Sequence, residues 1–136
     1  MYEQKLKHLE FIQAVITRMN SNSFLLKGWS VSLVSAIFAL AAKDANIRYA
    51  IIAYIPVIIF WALDGFFLSQ EKQYRKLYEA VAAKDESQID FSMNASSWNS
   101  DGRTWGKTCI SKTLLPFHGA LVLVVAIVMF VIPRLG

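Results

Sequence analysis

Cysteine is almost absent from this chain: Cys109 stands alone among 136 residues. An intrachain disulfide and a thiolate metal cluster are therefore both excluded. Histidine is nearly as scarce, with His8 and His118 far apart and neither expected to have a carboxylate or cysteine partner. No metal site, cofactor or catalytic triad is expected. Charge is also thin, at 18% of residues against ~25% in soluble domains. The start, Met1 to Asn22, lacks the compact apolar stretch and small-residue cleavage site of a secretory signal, so no processing is expected. The nearest thing to a phosphate loop is Gly102-Arg103-Thr104-Trp105-Gly106-Lys107-Thr108. Its first glycine stands one residue too close to the Gly-Lys-Thr, and no apolar strand precedes it. No enzyme activity is expected.

What the chain has is apolar sequence, 55% of it, blocked into long runs. Runs of this length point to lipid as the solvent. The expected fold is an all-α integral membrane protein of one domain, residues 1–136. Residues 3–20 read as an amphipathic helix, because Leu6, Leu9, Ile12, Ile16 and Met19 recur every three or four positions. Asn20-Ser21-Asn22-Ser23 reads as a break or a new N-cap. Residues 24–42 are the first expected span and 47–68 the second, joined by the short turn Lys43-Asp44-Ala45-Asn46. Residues 69–84 keep a helical stripe of Tyr74, Leu77, Tyr78 and Val81, so the second helix is expected to continue into the cytoplasm. Residues 85–112 read as a cytoplasmic loop, with an extended stretch where Ile89, Phe91 and Met93 alternate with polar residues. Residues 113–133 are the third expected span.

Loop charge orients the spans. Of the fourteen Lys and Arg residues, eleven lie on the N-terminal side or between the second and third spans. Lys43, Arg48 and Arg134 lie on the other side. Cations are retained in the cytoplasm, which puts the N-terminus inside and the C-terminus in the periplasm of a cell inner membrane. The net charge of +4 is thus assigned to topology and membrane lipid, and no nucleic-acid partner is expected.

Two charges fall inside the spans, Lys27 and Asp64. A hairpin folded around residue 45 brings them to nearly equal depth. A charge in a span must be paired, hydrated or snorkelling. A register-fixing salt bridge is one reading; an Asp64 that lines a pore or ion path is the other. Gly28, Ser32 and Ala36 recur every four residues, with Ser35 and Ala39 beside them. Small residues let membrane helices approach closely, either within one protomer or along the seam of a symmetric homo-oligomer. Trp29, Trp61, Tyr49 and Phe117 sit near span ends as interfacial anchors. Trp98 and Trp105 lie in the polar loop, where they either dock on the protein's own helices or present a surface to a partner.

The order of elements resembles the bacterial SLATT-type two-span membrane effectors. The resemblance is carried by residues 3–20, 24–68 and 69–84, and most of all by the passage LLKGWSVSLVSAIFALAAKD. It implies a protein that a partner or nucleotide signal activates and that oligomerises into pores in the inner membrane, as in anti-phage defence. The third span departs from that pattern, and no separate sensor domain is expected. Two functions are therefore expected: an oligomeric pore or channel-like effector, or a non-conducting anchor that docks a cytoplasmic protein through residues 69–112.

Overall fold

The computed structural model describes residues 3–44 and 47–135, without the side chains of residues 41, 44, 47, 49, 50 and 132–135. Tyr49 as an anchor, the side chain of Arg134 and the tip of the hairpin turn thus lie outside the described residues. All regular structure among those described is helical: α1 (Glu3–Asp44), α2 (Ile47–Ala82), α3 (Trp105–Cys109) and α4 (Leu115–Leu135), with three short 3-10 turns between α2 and α3.

α1 and α2 form a long hairpin. The expected break at residues 20–23 does not occur, and α1 runs unbroken for 42 residues. Four Asn and Ser residues disfavour a helix by only about 0.5 kcal/mol each relative to alanine. Packing on both sides outweighs that. Below the break Ile12 and Ile16 bury against Leu77 and Val81 of α2; above it Val34 buries against Ala53 and Val57. Ser23 is not a cap, because its hydroxyl faces α2 instead. α2 continues past residue 68 to Ala82 as the stripe of aromatic and aliphatic residues implied, and passes through Pro56.

At ~1.5 Å per residue the two helices are about 63 Å and 54 Å long. Each exceeds the ~30 Å of a hydrocarbon layer. Stretches of α1 and α2 are long and apolar enough to cross a membrane, and α4 is apolar over Leu115–Val131.

α4 lies against both long helices, antiparallel to α2. The register of the three-helix part repeats every seven residues, two turns of helix. Ser23 and Ser30 of α1, Asp64 and Val57 of α2, and His118 and Val125 of α4 are all buried. The layer of Ser23, Asp64 and His118 is wholly polar; the next, about 10.5 Å away, has two valines and Ser30, whose hydroxyl is spent on the Leu26 carbonyl of its own helix.

The segment after α2 folds back along the lower hairpin. No strand forms among the described residues, so the alternation of Ile89, Phe91 and Met93 was misleading. Ile89 and Met93 pack on the lower core, while Phe91 turns out with φ of 55°. That backbone disfavours a side chain by roughly 1–2 kcal/mol. It places the Phe91 ring on His8 and Phe11 and the Ser92 carbonyl 2.8 Å from His8 Nε2. Glu86 accepts the backbone N–H groups of Gln4 and Lys5 at 3.1 and 3.2 Å, satisfying donors that the first turn of α1 leaves open. Further along, Ser69 and the buried Gln73 hold the Arg103 carbonyl.

α3 is clamped to α2. Trp61 Nε1 donates to the Cys109 carbonyl at 2.7 Å, and Trp105 Nε1 donates to the Ala62 carbonyl at 2.8 Å. Gly65 allows this approach, since a Cβ there would meet Cys109 Sγ. Gly65→Ala is expected to lower stability by about 1–3 kcal/mol through overpacking. Cys109→Ala in the same chain is expected to return most of the loss. Denaturation of all four proteins of this cycle measures the coupling, and strictly additive effects would show that the contact is not made.

Candidate functional site

The buried polar layer is the chemical centre of the molecule. Asp64, midway along α2, has no exposed surface. One carboxylate oxygen, Oδ1, accepts the hydroxyl of Ser23. The other, Oδ2, lies 2.7 Å from Lys27 Nζ and 2.7 Å from His118 Nε2. Lys27 also donates to Ser23 Oγ at 2.9 Å. Three helices thus converge on one carboxylate.

Local geometry explains each contribution. Side chains on a helix lean toward its N-terminus. Lys27 stands one turn above Ser23 on α1, so its stem leans back over that turn and lowers the ammonium onto Ser23 and Asp64. His118 follows Pro116 in the first turn of α4. Trp61, one turn before Asp64 on α2, stacks on the His118 imidazole with centroids 5.7 Å apart and planes 8° from parallel. Phe117 covers the other side, its ring 5.0 Å edge-on to His118 and 6.0 Å from Lys27 Nζ. Lys27 keeps 21% of its side chain exposed, so the cluster reaches the surface of the bundle on the Lys27 side.

A carboxylate only accepts hydrogen bonds, so the imidazole hydrogen bound to Asp64 is on Nε2. His118 Nδ1 is buried with no partner. Ser23 gives its hydrogen to Asp64 and receives one from Lys27. That polarity is opposite to what a lysine base acting on a serine nucleophile needs. The cluster is built to neutralise and hold a charge.

Lys27 and Asp64, singled out in the sequence, pair directly within one chain. Ser23 and His118 had not been attached to them. His118 has the carboxylate partner that the sequence reading denied it. His118 stands seven residues before the buried Val125, and Ser23 seven before the buried Ser30; that spacing was the signal available. Trp61 is not a free interfacial anchor: it is the lid of His118 and a tether for α3.

The other residues of interest lie elsewhere. Gly28, Ser32, Ser35 and Ala36 are all exposed on the outer face of α1, and nothing comes within 4 Å of a Cβ built on Gly28. None of the four is used for packing inside this chain. Trp98 docks on the lower core beside Leu77 and Val81. Trp105 stays 53% exposed although its N–H is bound. Burial, together with the negative Asp64 nearby, pushes the Cys109 thiol above its ordinary value. Groups of three or more His, Cys, Asp or Glu side chains able to hold a metal are absent among the described residues.

The chain matches no family model, no curated protein and no solved structure, so the site is read from its own geometry.

Breaking a buried pair by removing one partner costs about 3–5 kcal/mol, because the other charge is left uncompensated. Asp64→Asn and Lys27→Met are each expected to approach that loss. The double variant is expected to lose clearly less than the sum. Equilibrium unfolding of the four proteins decides it; additive losses would mean that the two side chains do not depend on each other.

Proposed function

We propose that this protein is a three-span inner-membrane protein, N-terminus inside, that self-assembles into a pore or channel-like effector. The observation that carries this reading is the division of α1 into two faces. One face is closed against α2 and α4 around Asp64. The opposite face shows Gly28, Ser32, Ser35 and Ala36 with no partner in the chain. In lipid, helices meet over small residues, so a second copy is the natural neighbour of this face. The hydroxyls of Ser32 and Ser35 would then line or border the shared seam. Asp64 is enclosed, so it acts on conduction by fixing how α1, α2 and α4 are held, not by lining the path.

Membrane insertion is supported by the apolar side chains left on the outside of the bundle. Phe24, Trp29, Ile51, Ile55, Ile58, Leu123, Ile127 and Phe130 are all exposed, several by more than half. Soluble monomers rarely leave so many large apolar side chains exposed without a cover. The pore reading also agrees with the SLATT-type resemblance, and with it a role in anti-phage defence. The scaffold reading has less support, because residues 69–112 spend many of their polar groups on α1 and α2.

In a Cys109→Ala background, Ser32→Cys is expected to crosslink between copies under mild oxidation. Ser32→Leu should abolish both the assembly and most ion flux from loaded liposomes while leaving insertion intact. Purified wild-type assemblies that carry no current under any applied voltage would sink the pore reading.

A further inference from the structure

We propose that α3 and the turn after it form a binding site for the headgroup of an anionic phospholipid at the cytoplasmic leaflet. The segment is a rigid foot. Two indole hydrogen bonds, Trp61 to Cys109 and Trp105 to Ala62, fix it to α2 beside Asp64. Its depth is therefore that of the inner end of the spans, where headgroups lie. Its outward side is both apolar and cationic. Trp105 is 53% exposed and Ile110 64%, and the edge of Phe66 meets Trp105 at 6.4 Å. Lys107 and Lys112 are exposed beside them. No acidic side chain among the described residues pairs with either lysine.

That combination selects its occupant. A half-exposed indole whose N–H is already bonded presents an apolar body to lipid at the level of the headgroups. Two unpaired ammonium groups a helical turn or more apart call for phosphate-bearing anions rather than zwitterions. Leu63 of α2 and Leu115 of α4, the helices that α3 lies between in the chain, are also exposed and offer apolar surface to the acyl chains of the same molecule. A free phosphate would use the lysines alone and leave the apolar part uncovered. A polybasic contact near a membrane is worth about fivefold in affinity per lysine.

The proposal rests on the membrane-embedded reading but not on conduction. Its test is retention of phosphatidylglycerol against phosphatidylcholine by the full chain in mixed micelles, followed by native mass spectrometry. Wild type is expected to prefer phosphatidylglycerol, with millimolar inorganic phosphate failing to compete. K107Q/K112Q should lose about 30-fold of that preference, while Lys43→Gln, at the far end of α1, should keep it. Equal retention of the two lipids, or a preference that K107Q/K112Q retains, overturns the proposal. So does acrylamide shielding of Trp105 that is as strong in lipid-free assemblies, since a protein surface would then be the cover. A wild-type chain that alkali strips from membranes sinks this site and the pore together; one that inserts but holds both lipids equally sinks the site alone.

Discussion

A carboxylate buried midway along a helix has to be neutralised, and the arrangement of this protein follows from how that is done. Asp64 takes a cation and a hydroxyl from α1 and an imidazole from α4. In this chain α1 supplies two of the three and α4 the third. The requirement therefore fixes the register of the hairpin and the seat of α4 together. It also explains the Trp61 stack and the Phe117 edge, which limit water at a site where each polar contact gains strength from a low dielectric. Above the layer the contacts turn apolar, with Val34, Ala53, Val57 and Val125 filling the bundle. Such packing holds helices together but tolerates sliding far more than a three-way hydrogen-bonded junction does.

Below that layer the hairpin solves a different problem. There it has no third long helix to close its core. The segment after Ala82 takes that place. It closes the core with Ala95 and Trp98 and binds the start of α1 through Glu86. It gives His8 Nε2 a partner, the Ser92 carbonyl, through a strained turn at Phe91, while His8 Nδ1 stays buried without one. The chain then returns to α2 as α3, so the same excursion both roofs the lower core and delivers α4 to Asp64. The faces of this scaffold differ. One side of α1 is closed around Asp64, Gly28, Ser32, Ser35 and Ala36 stay exposed on the other, and α3 leaves Trp105 half exposed.

Much of the fold was legible beforehand, because long apolar runs and helical stripes report on single helices. The continuation of the second helix, expected to residue 84 and observed to Ala82, and a last apolar helix, expected over 113–133 and observed over Leu115–Leu135, came from such local patterns. The break expected at residues 20–23 shows the limit. Asn and Ser favour caps when nothing else claims their side chains, but α2 claims Ser23, and local preference of a few tenths of a kcal/mol per residue cannot compete with packing along both halves of the helix. The expected extended stretch at 89–93 failed for a similar reason, since alternation marks a strand only when another strand pairs with it.

The amino-acid sequence alone determined that the chain is built of helices, that two of them form a tight hairpin, and that Lys27 and Asp64 fall at matching depth. Those are consequences of composition and spacing along one dimension. Only the tertiary structure decided that Ser23 and His118 complete the cluster, that Asp64 is enclosed, and that the small residues of α1 face outward. The rotation of each helix about its axis sets all three. That rotation is chosen by the joint packing of α1, α2 and α4, with His118 lying 54 positions from the carboxylate it binds.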